Sequence, residues 1–206
     1  MAGYLCSKIN ATMNEIKTID DLYAALRLEG INSVSQLEEA FSKIAGALLN
    51  RFAIQKGNKV YRFVEIEFYH TIADKVQGHE GTTYERGIAE SCDFFFHPSG
   101  VDLCFESNEE SYGGILIRAI ECEGDFTNGP GLVADKLFDK FSSIRPPKDF
   151  PKLIPITSAD VITPVPFTRY NIEGGEKYRY TWPWELWKPK GYSASPWYYN
   201  GELKKK

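Results

Sequence analysis

Glu65 and Glu67 stand two residues apart in the stretch VEIEFYH, residues 64–70. In a strand, side chains alternate between faces, so Tyr61, Phe63, Glu65, Glu67 and Tyr69 project to one side and Val60, Val64, Ile66 and Phe68 to the other. Acids among aromatic rings make a partly dry surface, on which a flat ligand can stack while a carboxylate reaches it. The same pattern suits a structural arrangement in which the acids pair across strands with Arg62 or Arg118. Arg118 is the single charge in the apolar run ILIRAI, residues 115–120, and needs an anion or a path to water. A core-edge ion pair with a nearby Glu and a positioned cation at a site both meet that need.

The elements that must position these residues follow from local pattern. Residues 1–17 carry no strong signal. Thr18 is placed to cap a short helix carrying Ile19, Leu22, Tyr23 and Leu26, which ends before Gly30. Ser35 with Glu38 forms a capping box for a second helix, whose Leu37, Phe41, Ile44, Ala45 and Leu48 make one apolar stripe. Residues 52–55 and the turn at 56–59 build a hairpin into the acid-bearing strand. Residues 71–90 lose periodicity and gather Asp74, Gly78, His79, Gly81 and Arg86, which reads as a long functional loop. A second hairpin runs from Phe94, Phe95 and Phe96 through a turn at 97–100 to Val101, Leu103 and Phe105. An acidic tip at 106–111 follows, and Gly113 and Gly114 introduce the apolar strand of Arg118.

TNGPG, residues 127–131, precedes a helix whose Leu132, Leu137, Phe138 and Phe141 suit a buried face. The free backbone donors at such a helix start either hold a phosphate or are met by water and a cap. Residues 143–155 read as irregular, and 167–171 with 177–182 as a late strand pair. The tail interleaves Trp, Tyr, Pro and Lys, a composition suited to gripping a nucleic-acid strand or to packing across the domain.

A chain of 206 residues fits one domain with a core large enough to stand without disulfides. The expected architecture is α+β: a single mixed domain with a curved antiparallel β-sheet flanked by helices. Its N-terminal helices occupy 1–50, the motif-bearing core 51–141, and the C-terminal strands and aromatic, basic tail 142–206. A formal net charge of −4 argues against coating nucleic acid by bulk electrostatics, while leaving room for a local basic patch. Cys6, Cys92, Cys104 and Cys122 show no CxxC spacing, so reduced thiols in the cytoplasm are expected and no metal site. No segment reaches the length of a membrane span, and neither a signal peptide nor a membrane partner is expected. GxGxxG, Walker and nucleophile-elbow motifs are all missing, which removes the common nucleotide and cofactor folds.

Four pieces, taken in order, resemble the alkyladenine (3-methyladenine) DNA glycosylase family. AGALLNRFAIQKGNKVYRF with VEIEFY is similar to that family's helix, hairpin and ETEAY-type strand. FFHPSGVDLCF resembles its FMKPGTLYVY-type hairpin, ILIRAIE its LLRALE strand, and TNGPG its NGPG turn. The order and approximate spacing match over residues 45–141, and the aromatic strands at 169–184 extend the likeness. The resemblance implies that Glu67 positions and deprotonates the attacking water and that Arg118 helps hold water and backbone. It implies that Tyr69 is one wall of the base pocket, that His79 contacts the flipped base, and that Phe105 is the opposite wall. Asn128, Gly129 and Gly131 would meet the DNA backbone.

The implied activity is a monofunctional DNA N-glycosylase, a monomer needing no cofactor, which acts on a damaged or modified base for repair or for restriction of foreign modified DNA. The chain departs from the family pattern between its second hairpin and the Arg118 strand. That region is shorter, Tyr112 is its only aromatic, and Glu106, Glu109 and Glu110 lie where phosphates would approach. A purine-site Asn has no clear counterpart, and the basic residue that usually follows the turn is Leu132. Two alternatives therefore stand beside the glycosylase: a non-catalytic binding module on the same fold, and a hydrolase of single-stranded nucleic acid or nucleosides.

Overall fold

The structure, a computed structural model, describes residues 15–72, 83–139, 149–158, 160–169, 178–183 and 185–187. Thr18 caps helix α1 (Ile19–Ala25), accepting the Asp21 N–H at 3.1 Å while the Asp21 carboxylate accepts the Thr18 N–H at 2.8 Å. Helix α2 (Val34–Arg51) starts two residues earlier than the pattern suggests, because Ser33 rather than Ser35 accepts an N–H, that of Gln36. Gln36 reaches back to the Asn32 N–H at 3.0 Å, which makes this the better-satisfied start. The predicted stripe of Leu37, Phe41, Ile44, Ala45 and Leu48 is fully buried.

One curled antiparallel sheet receives that stripe, and the class is α+β as expected. Its strands are β1 (Phe52–Lys56), β2 (Lys59–Ile72), β3 (Phe94–His97), β4 (Gly100–Cys104), β5 (Ser111–Cys122), β6 (Asp125–Asn128), β7 (Lys152–Pro155), β8 (Val165–Phe167) and β9 (Arg179–Thr181). The main order is β3-β4-β5-β2-β1-β7, with β6 on β5, β9 on β2 and β8 on β9. Helix α3 (Pro130–Phe138) follows β6; Leu137 and Phe138 are buried as expected, but Val133 takes the inner position in the first turn and leaves Leu132 61% exposed, while Phe141 lies outside the described residues. Both predicted hairpins form. A late strand pair forms, but from residues 165–167 and 179–181, so its first strand ends where the expected 167–171 begins. β7 was not legible, since Pro151 precedes it and Pro155 is its last residue; at the outer edge of β1 a proline removes no needed ladder bond.

β2 is the axis of the sheet. Its whole length from Arg62 pairs with β5, while β1 and then β9 take its other side. The apolar face packs under α2, where Phe68 stacks on Phe41 with ring centroids 4.4 Å apart. His70, on the same face, is 4% exposed between Phe41 and Phe105. Burial in this apolar setting lowers its pKa from 6.5 to about 4.

This shift fixes a pH effect. The unfolded chain takes up the His70 proton near pH 6.5 and the folded chain only near pH 4, so stability is full above the first value and falls as pH drops through that window. The loss amounts to roughly 3 kcal/mol from this one group. Denaturant unfolding at pH 7 and pH 4 is expected to show a smaller acid loss in His70→Gln than in wild type, by about that amount.

Candidate active site

The β2–β5 ladder is interrupted where the chemistry-bearing residues lie. Phe63 pairs with Ile120, Glu65 with Ala119 and Ile66 with Ile117, so the register shifts twice around Val64 and Arg118. Phe63 and Glu65 thus pair with adjacent β5 residues, and the single alternation expected from Tyr61 to Tyr69 does not run through the break: Tyr61 and Phe63 belong to the hydrophobic core. Such irregularities re-aim side chains and are common beside active sites. The two carbonyls at the break are taken by other elements: Trp182 N–H donates to Val64 O and Gly129 N–H to Arg118 O, both at 2.9 Å.

Glu65, Glu67 and Tyr69 share one face of β2, and Arg118 reaches them from β5. Its Nε donates to Glu65 Oε1 at 3.0 Å and its Nη1 to Glu67 Oε2 at 2.7 Å. From β9, on the opposite side of β2, Arg179 donates Nε to the same Glu65 oxygen. Glu65 is 0% and Glu67 2% exposed, whereas the Arg118 side chain is 25% exposed. The acids are thus dry, and the cation that bridges them is where the network meets solvent.

Burial opposes the charge on Arg118, but Glu67 and Glu65 outweigh it and raise its pKa above the ordinary value. Burial also pushes the Tyr69 phenol up, and the negative charge of Glu67 and a hydrogen bond to it add to the effect. Tyr69 therefore stays protonated as a donor beside Glu67. Arg169 Nη1 donates to Phe68 O at 3.0 Å, and its guanidinium lies over the rings of Tyr69 and Tyr178 at 5.2 and 5.1 Å. This cation fixes the plane of Tyr69 from behind.

A planar guanidinium carries donors on separate nitrogens at fixed spacing, so Nε serves Glu65 while Nη1 serves Glu67. Arg118→Lys keeps the charge but reaches one acid at a time, and is expected to lower stability by about 1–3 kcal/mol, measured by urea unfolding.

The structure brings together Glu67, Tyr69 and Arg118, with Glu65 added. Phe105 is elsewhere. It is 1% exposed and stacks on Phe41 at 5.7 Å, on the α2 side of the sheet. The β4 residue that shares the Tyr69 face is Cys104, through the row Tyr69, Gly114, Cys104; a step of one residue along a strand changes faces. Where an aromatic wall was expected, Arg86 Nη2 donates to Asp102 Oδ2 at 3.0 Å. A Cβ on Gly114 would come within 2.5 Å of Arg86 Nη1. Ser99 N–H donates to His97 Nδ1, so His97 Nε2 carries the ring hydrogen and donates to Asp102 Oδ1 at 2.9 Å.

Asn128 pairs with Ala119 on β5, next to Arg118. Gly129, at φ 113°, accepts the first helical bond of α3 from Val133. Gly131 is exposed at that helix start. The turn therefore leans on the backbone of Arg118 without touching the carboxylates in any described contact. His79 and Asp74 lie outside the described residues, as do Cys6 and the tail from residue 188. Arg62, weighed as a partner for the acids, instead donates to Ser158 and sits over the Trp182 ring at 4.4 Å. Sequence reasoning missed Arg169 and Arg179. Their only signal was a charge in each of the two aromatic segments, 167–171 and 177–182, read as late strands.

Chemically, the arrangement is a held carboxylate, a phenol donor and a half-open guanidinium on one surface. Among the described residues no group of three or more His, Cys, Asp or Glu could hold a metal ion. A cavity of about 1010 Å³ lies between α2 and residues 155–164, away from these side chains. No described helix is long and apolar enough to cross a membrane. No protein-family model matches the chain, and no curated protein is significantly similar to it.

Proposed function

We propose that this chain is a monofunctional DNA N-glycosylase that hydrolyses the bond between a deoxyribose and a damaged or modified base. The observation that carries the reading is the ion-paired Glu67 beside Tyr69 at the β2–β5 irregularity, with Arg118 bridging to solvent. These are the residues to which the glycosylase resemblance assigns the water, the pocket wall and the cation.

In the proposed step Glu67 accepts a proton from water as its oxygen bonds to the anomeric carbon. The C1′–N bond breaks, and its electron pair leaves with the base. Positive charge builds on the sugar, and a carboxylate close by stabilises it. Arg118 holds the Glu67 carboxylate and aims it. An alkylated, cationic base leaves with little acid assistance. Flipping selects such bases, because a weakened pair costs least to open.

The test is a base-release screen of purified protein on alkylated, deaminated and hypermodified DNA, single- and double-stranded. Release of a free base that depends on Glu67 supports the reading; no release from any substrate overturns it. One observation favours a second reading, a non-catalytic module: Glu67 is 2% exposed and already satisfied by Arg118, as in a purely structural network. Salt-sensitive DNA binding without base release would select that module.

A further inference from the structure

Arg118 addresses Glu67 through one arm of its guanidinium only. The other arm, Nε, is held at 3.0 Å by Glu65, which is 0% exposed and is gripped from the far side of β2 by Arg179. Glu65 cannot meet a ligand at that burial, and the Arg179 side chain is 4% exposed. Yet the two form a rigid relay, β9 to β2 to β5, ending on the side chain that touches Glu67.

A fork bound at one end swings about its stem; one bound at both ends has a single orientation. Arg179 lies opposite Glu67 in the ladder but bonds to Glu65, one position diagonal to it. That diagonal leaves Glu67 with Arg118 as its described cation and keeps Glu65 as the anchor. Among the described residues, Tyr69 on its own strand and Arg169 behind Tyr69 also stand near Glu67, and Asp102, held by Arg86, lies in the same cross-strand row.

We infer that Glu65 and Arg179 are positioning residues, which orient the guanidinium of Arg118 and through it the carboxylate of Glu67. This rests on the glycosylase reading for its rate effect, but not for its geometric one. Ordering of this kind is worth much in rate, since a displacement of about 1 Å at the reacting group costs on the order of 100-fold.

A structural role and a positioning role separate in a paired substitution. Glu65→Leu alone strips the buried Arg179 of a carboxylate it donates to and is expected to lower Tm by roughly 6–12 °C. Glu65→Leu with Arg179→Met removes both charges and restores most of that loss, because apolar side chains of similar volume replace a buried pair well. The expected result is that this double variant still releases base about 100-fold more slowly in a single turnover, with DNA affinity within about twofold of wild type. Glu65→Gln with Arg179→Met keeps a neutral acceptor for Arg118 Nε and is expected to regain at least about tenfold of that rate. A Leu/Met variant that is both stable and as fast as wild type overturns the inference.

A second readout does not depend on catalysis. The Arg118 Nε–H resonance in a ¹H–¹⁵N spectrum is expected to be protected from exchange in wild type and in the Gln/Met variant, and exposed in the Leu/Met variant. If wild type releases no base, the glycosylase reading fails, and this resonance alone decides the relay. Equal protection in all three proteins overturns it.

Discussion

Glu67→Gln is expected to lower single-turnover base release by about 10²- to 10⁴-fold, the range for losing a general base. The amide keeps the size of the acid and an oxygen able to accept from Arg118 Nη1, now 2.7 Å from Glu67 Oε2. It cannot take a proton from water. Because Arg118 retains Glu65 at 3.0 Å, the fold is expected to lose only about 1–2 kcal/mol, read from urea unfolding alongside the rate. DNA affinity stays near that of wild type, since a carboxylate 2% exposed contributes little binding surface. A variant as active as wild type would remove Glu67 from the chemistry.

The largest effect on stability is expected at Gly113. A Cβ there would stand 2.2 Å from Tyr69 O and 2.9 Å from His70 Cα, with Phe105 Cδ2 at 3.1 Å. The first two are backbone atoms of the paired strand, so no side-chain rotation relieves the contact. Either β5 leaves β2 locally or the ladder from Tyr69 to Thr71 opens. Gly113→Ala is expected to cost about 4 kcal/mol or more, beyond ordinary overpacking because the backbone itself must move. It also displaces Tyr69, so base release should fall at temperatures where the protein is still folded. Thermal melts and single-turnover rates at 15 °C measure both. A melt within about 3 °C of wild type would correspond to no more than roughly 1–2 kcal/mol and would refute the clash.

Gly113 also illustrates how local signals mislead. Two adjacent glycines read as a break before the strand, yet both lie inside β5. Their role is to admit β2 backbone on one side and the Arg86 guanidinium on the other. Neither neighbour is visible from residues 111–122. Phe105 carries the same lesson in another form, since the resemblance gave the right hairpin but a residue of the wrong parity for the Tyr69 face. The helix stripe of α2, both hairpins and the alternation of β2 from Glu65 to Tyr69 were legible because each depends on a period set by the chain itself, whereas the break at Val64 that separates Phe63 from that face was not.

What the sequence by itself determined is therefore the α+β layout, the face on which Glu65, Glu67 and Tyr69 stand, and the need of Arg118 for an anion. The tertiary structure decided the rest: that Arg118 divides its guanidinium between both acids, that Arg179 from 114 residues away anchors Glu65, and that Arg169 backs Tyr69. The reason is physical. The face of a side chain follows from backbone geometry within a few residues, whereas a buried charge takes its partner from whichever strand the finished sheet lays beside it.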